Sequence, residues 1–135
     1  MGKALVTVGV TENNYSAYIH IGDGIAVATG KTFEEMRVQM EEAVAFHLDG
    51  MREDGEIIPS IFHGNYALAY QFDPESLLLH YNGIFTHAAL EKLTGINQRQ
   101  LQRYASGVST PREAQAKKIQ DALHQLGREL LAVEL

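Results

Sequence analysis

Residues 66–78 read YALAYQFDPESLL, and the spacing of their large apolar side chains changes part-way along. From Tyr66 to Phe72 every second residue is large and apolar, which predicts a strand with one buried face. Asp73 and Pro74 are residue types that begin helices, and after them the apolar spacing becomes helical. The sequence therefore predicts a border between two domains after Asp73.

Upstream of this border, in residues 1–73, we expect strands around one helix. Runs of β-branched and alternating apolar residues predict strands over residues 4–11, 15–21 and 25–29. Thr32 and Glu35 match a capping box, so a helix should begin there and run to about Glu53. With the strand described above, this domain has the predicted order β-β-β-α-β.

Downstream, residues 74–135 predict only helices, so the expected fold class is α+β with an all-α second domain. One short helix should begin at the cap Thr86 and end at Gly95. A second should begin at the cap Asn97 and end at Gly107. Thr110 and Glu113 form a second capping box, with Pro111 at the expected first position of the last helix. The predicted apolar stripe of that helix comprises Ile119, Leu123, Leu126, Leu130 and Val133.

The charge of the chain is unevenly distributed. Residues 1–80 contain 4 basic and 12 acidic residues, a net charge of −8, whereas residues 81–135 contain 7 and 5, a net charge of +2. This uneven distribution indicates either two partners of opposite charge or a role in solubility alone.

The absence of cysteine excludes disulfides, thiolate catalysis and cysteine-ligated metals. Without a membrane-length apolar run or a signal peptide, we expect a soluble cytoplasmic protein with no membrane partner.

Residues 90–107 have the pattern of a helix-turn-helix: a short helix, a glycine, a turn and a second short helix. The outward residues of the second helix would be Gln98, Arg99, Gln102 and Arg103. Arginine pairs with guanine, glutamine with adenine, and both with phosphate. Asn97 at the helix start and Arg112, Lys117 and Lys118 beyond it complete the predicted DNA-binding set. The alternative is an ordinary helical hairpin with polar outer faces.

No motif in the sequence predicts catalysis. The six histidines, at positions 20, 47, 63, 80, 87 and 124, include no pair spaced four residues apart, as a helical zinc site would need. Nucleophile-elbow and phosphate-binding glycine motifs are also absent. We therefore predict no catalytic residues, no metal and no cofactor.

The order of several short motifs resembles the HicB antitoxins of bacterial toxin–antitoxin systems, in the form with a C-terminal Cro/XRE-like helix-turn-helix. The N-terminal motifs are Tyr15-Ser16-Ala17-Tyr18, Gly30-Lys31-Thr32-Phe33-Glu34-Glu35 and Ile58-Pro59. The C-terminal motifs are Thr94-Gly95-Ile96-Asn97, Tyr104-Ala105-Ser106-Gly107 and Thr110-Pro111-Arg112. The sequence departs from the family at Glu91, where a small residue is usual, and at residues 21–25, where a proline-rich segment is usual.

The resemblance implies a partial ribonuclease-H-like N-terminal domain that binds a small basic HicA-type, RNA-cleaving toxin. It implies that the C-terminal domain binds operator DNA and represses the shared operon. It assigns no toxin-binding residue in this chain. Residues 4–10 hold no carboxylate of the kind that a ribonuclease-H active site places on its first strand, which disfavours a nuclease.

Two points about function stay open at this stage. The alternative to an antitoxin is a free-standing DNA-binding regulator whose N-terminal domain dimerises or senses a ligand. A homodimer or higher homo-oligomer is expected, because operators are usually read by two-fold dimers. The apolar tail, residues 130–135, is expected at or near the dimer interface, or else packed on its own domain.

Overall fold

The computed structural model describes residues 2–135 and confirms the α+β class. Contacts divide the chain after Asp73 into an N-terminal unit and a C-terminal unit. Each unit has its own cluster of buried apolar side chains. The N-terminal unit contains a sheet and one long helix, and the C-terminal unit contains only helices.

The N-terminal unit is built on a mixed four-stranded sheet. Its strands are β1 (Gly2–Val10), β2 (Tyr15–Ile21), β3 (Gly24–Gly30) and β4 (Tyr66–Phe72), in the spatial order β3-β2-β1-β4. β1, β2 and β3 pair antiparallel, whereas β4 pairs parallel to β1. The parallel pair is possible because a long connection containing a helix separates β3 from β4. The predicted order β-β-β-α-β is confirmed.

Helix α1 (Phe33–Glu53) covers one face of this sheet. Its predicted cap is confirmed, because the backbone N–H of Glu35 donates to Thr32 Oγ1 over 3.1 Å. The Glu35 carboxylate accepts from the N–H of Lys31 at 2.9 Å, one residue before the cap. The side chains that α1 buries are those of Met36, Met40, Val44, Leu48 and Met51. A 3₁₀ turn, Ser60–Phe62, then leads towards β4.

The C-terminal unit contains four helices. They are α2 (Pro74–Tyr81), α3 (His87–Thr94), α4 (Gln98–Ala105) and α5 (Glu113–Leu131). Their shared core consists of Leu78, Leu90, Ile96, Leu101, Tyr104 and Ile119. This core holds α4 between α2 and α3, so the position of α4 is determined by buried apolar contacts.

The sequence-based prediction was wrong at the start of α5. The backbone of Arg112 is extended, with φ −69° and ψ 163°, and its side chain forms no capping hydrogen bond. Pro111 therefore lies outside the helix, and the predicted capping box from Thr110 does not form the start of α5.

The predicted apolar stripe of α5 is confirmed only in its first half. Ile119 is buried and Leu123 packs against the core, whereas Leu130 is 61% exposed. Val133 is 60% exposed and lies beyond the helix end at Leu131. Within the described residues, the far part of the stripe lacks an apolar surface to pack on.

Candidate nucleic-acid interface

The turn between α3 and α4 is held by backbone geometry and by one threonine. Gly95 has a φ of 77°, a left-handed conformation that favours glycine, and its N–H donates to the carbonyl of Glu91 at 2.8 Å. Thr94 Oγ1 donates to the carbonyl of Leu90 at 2.7 Å and accepts from the N–H of Ile96 at 3.1 Å. Because Ile96 is itself buried, the turn positions α4 firmly against α3.

Two side chains satisfy backbone donors at the start of α4. Asn97 Oδ1 accepts from the N–H of Arg99 at 2.8 Å, which confirms the predicted cap. Glu91 Oε1 accepts from the N–H of Gln98 at 3.2 Å. Glu91 thus ties α3 to the start of α4. The amide N–H groups of Asn97 remain available to donate to a ligand.

The two sides of α4 differ sharply in burial. Leu101 is 0% exposed and Tyr104 is 4% exposed, so these residues face the core as predicted. The opposite side presents four exposed side chains, those of Gln98, Arg99, Gln102 and Arg103. Within residues 2–135, no carboxylate forms a salt bridge with Arg99 or Arg103. Both guanidinium groups therefore keep their donors for a ligand.

The loop after α4 is tied back to that helix. The N–H of Ser109 donates to the carbonyl of Arg103 at 3.2 Å, and Gln100 Nε2 donates to Ser109 Oγ at 3.4 Å. Gly107 adopts a φ of 78° within this loop, as predicted for a helix end. The loop leads to Arg112, which is exposed immediately before α5.

The two predicted lysines of α5 are both exposed, but they are not equivalent. Lys117 Nζ lies 2.6 Å from Asp121 Oδ2, one helical turn further along. Both partners are largely exposed, so the pair adds little stability, but Asp121 offsets the charge of Lys117. No such pair involves Lys118 in the described part of the chain. The four-residue spacing of Lys117 and Asp121 could have signalled this pair in the sequence.

The solvent-facing side of α1 has the opposite charge. Its carboxylates belong to Glu34, Glu35, Glu41, Glu42, Asp49 and Glu53. The Arg37 guanidinium donates to Glu34 and Glu41, and its hydrogen bonds hold the pKa of Glu34 below the ordinary value. Phe46 lies among these carboxylates with 83% of its surface exposed. The carboxylate pairs Glu34-Glu35 and Glu41-Glu42 are visible in the sequence, where they predict either a solvated face or a docking surface for a basic protein.

Among residues 2–135, no group of three or more histidine, aspartate or glutamate side chains is arranged to hold a metal ion. The described helices include none with both the length and the apolar character that crossing a membrane requires. Comparisons of the chain with protein-family models, with curated proteins and with solved structures give no match.

Proposed function

We propose that the chain is a HicB-type antitoxin that represses its own operon and neutralises a small, basic, RNA-cleaving toxin. The DNA-binding part of this proposal rests on the outward side of α4. It presents two arginines and two glutamines from a helix whose start, turn and buried side are all fixed. α3 and α4 would then act as a helix-turn-helix, with α4 as the recognition helix.

In this proposal α4 enters the major groove of operator DNA. Arg99 and Arg103 are one helical turn apart, so both reach base edges or phosphates on one side of the groove. Gln98 and Gln102 flank them with groups that both donate and accept hydrogen bonds. Arg112 and Lys118 supply phosphate contacts outside the recognition helix, which position the protein without reading sequence.

A homodimer would present two such helices to a two-fold operator. The second half of α5 suits a helix–helix contact, because Leu126 and Leu130 continue the spacing of Ile119 and Leu123 beyond the part that packs on the core. Gly127 lies inside α5, where glycine costs about 1 kcal/mol relative to alanine. A Cβ added there would meet nothing within 4 Å. A close approach by the partner's helix would explain why a glycine occupies this position.

The toxin-binding role is proposed for the N-terminal unit. Residues 1–73 contain 4 basic and 11 acidic residues, a net charge of −7, which complements a basic toxin. The acidic face of α1 is the surface that would attract such a protein, with Phe46 as an apolar anchor inside a charged rim. The free-standing regulator remains the second interpretation if no toxin partner is found.

DNA binding is tested by fluorescence anisotropy with the region upstream of the gene, at several salt concentrations. Base-edge contacts contribute about 1–3 kcal/mol each, so Arg99→Ala and Arg103→Ala should each weaken binding at least about fivefold. Arg128→Ala provides a matched control, because Arg128 is exposed on α5 outside the proposed interface. Equal losses in all three variants, or no loss in any, would contradict the assignment of α4.

A further inference from the structure

Asn82 and Gly83 lie in the connection between α2 and α3, outside both helices. Both residues are exposed. Among residues 2–135, no hydrogen bond involves the side-chain amide of Asn82 or the backbone N–H of Gly83. A free carboxamide is therefore followed directly by a free backbone nitrogen, and these are the two groups that an intramolecular attack on the carboxamide requires.

The shape of this connection does not require a glycine at position 83. The φ of Gly83 lies outside the left-handed region, and a Cβ added there would meet nothing within 4 Å. Alanine would therefore fit without strain. The lack of a Cβ does leave the nitrogen of Gly83 open to approach from the preceding side chain.

Asn97, at the start of α4, has the opposite arrangement. Its Oδ1 accepts from the N–H of Arg99, and the next backbone nitrogen, that of Gln98, donates to Glu91 Oε1. Both groups that an attack would need are thus engaged, although Asn97 is also exposed. Hydrogen bonding, and not exposure, distinguishes Asn82 from Asn97.

We propose that Asn82 and Gly83 form a site of spontaneous modification, at which Asn82 is converted to aspartate and isoaspartate. The nitrogen of Gly83 loses its proton and attacks Cγ of Asn82, which forms a succinimide ring and releases Nδ2 as ammonia. Water then opens the ring. Attack on Cγ breaks its bond to the Gly83 nitrogen and gives aspartate, whereas attack on the main-chain carbonyl carbon breaks that carbon's bond to the nitrogen and gives isoaspartate. The overall change consumes water, releases ammonia and needs no oxidant or reductant.

The two products differ in their effect on the turn. The carbonyl of Tyr81 accepts from the N–H groups of Ile84 and Phe85, each at 2.9 Å, so the modified peptide bond lies inside this turn. Isoaspartate adds a methylene to the main chain between this acceptor and its donors, and both hydrogen bonds cannot then keep their geometry. Because Phe85 packs against the core of the C-terminal unit, isoaspartate should loosen the start of α3. Aspartate leaves the length of the main chain unchanged and adds a negative charge.

The conversion is measured by peptide mapping with mass spectrometry, on full-length chain kept in mildly alkaline buffer at physiological temperature. Asn65 and Asn97 are internal controls, because both are exposed and neither is followed by glycine. We expect at least about tenfold more conversion at Asn82, since proximity and an unhindered nucleophile favour ring closure. Gly83→Ala should suppress the conversion. Asn82→Gln, whose longer side chain closes a ring less readily, is a second variant that should accumulate no product.

Thermal unfolding is recorded on the same samples, and neither the DNA contact nor the toxin contact proposed above is needed for either measurement. The aged chain should contain a fraction whose Tm is lower by about 4–8 °C, the shift expected for loss of a net hydrogen bond in a unit of this size. Aged Gly83→Ala should keep its original Tm. Conversion at Asn82 that is no faster than at Asn65 or Asn97, or that Gly83→Ala leaves undiminished, would overturn the proposal. A converted chain with unchanged Tm would overturn the predicted effect on α3.

Discussion

Gly30 ends β3 at the point where α1 begins to cross the sheet, and Gly30→Ala should destabilise the protein. A Cβ at this position would lie 2.5 Å from the backbone nitrogen of Met36 and 2.9 Å from the Cβ of Glu35. Both atoms belong to the first part of α1, so relief requires the helix to shift away from the sheet. Overpacking of this kind costs about 1–3 kcal/mol.

The same substitution at Gly50 should have the opposite sign. Gly50 lies inside α1, and a Cβ added there would meet nothing within 4 Å. Alanine is favoured over glycine in a helix interior by about 1 kcal/mol, so Gly50→Ala should stabilise the protein. Thermal unfolding followed by circular dichroism measures both effects. For a domain of this size, 1 kcal/mol corresponds to a shift of about 4–8 °C in Tm. A neutral Gly30→Ala, or equal losses in both variants, would refute this steric argument.

Substitutions at three further positions test parts of the C-terminal unit. In urea unfolding, Asn97→Ala should lower the free energy of unfolding by about 1 kcal/mol, because it removes the cap of α4. Asn97→Asp, which can still cap the helix, should retain stability in the same measurement. Asp121→Asn removes the carboxylate that pairs with Lys117, so fluorescence anisotropy should show tighter DNA binding with a steeper salt dependence. Unchanged binding would exclude Lys117 from the interface. Burial lowers the pKa of His80, so protonation favours the unfolded chain. Stability should therefore fall as pH decreases below about 6.5, and His80→Gln should remove part of that loss; identical pH profiles would contradict this.

The sequence predicted elements whose signals are local. The alternation of Tyr15, Ala17, Ile19 and Ile21 predicted β2 with the observed bounds, because side-chain period alone determines which face is buried. The caps at Thr32 and Asn97 were also predictable, since each depends on residues within one helical turn. The same holds for the outward set on α4, which follows from helical spacing.

Features that depend on distant residues were not predictable in this way. The parallel pairing of β4 with β1 joins residues more than sixty positions apart, and no local pattern encodes it. Glu91 contacts the N–H of Gln98 only because the turn at Gly95 folds α3 back towards α4. The start of α5 was misplaced because Arg112 is extended, although the capping-box pattern around it is intact.

The most direct test of the account is a pair of assays on one variant, Arg99→Ala combined with Arg103→Ala. Neither side chain belongs to the buried core, so the fold should persist by circular dichroism. Operator binding in a gel shift should weaken by roughly a hundredfold, since two base-edge or phosphate contacts are lost. Rescue of growth from a co-expressed toxin should be retained, because that role is placed on the N-terminal unit. Loss of both activities in a folded variant, or of neither, would contradict the assignment of DNA binding and toxin binding to separate units.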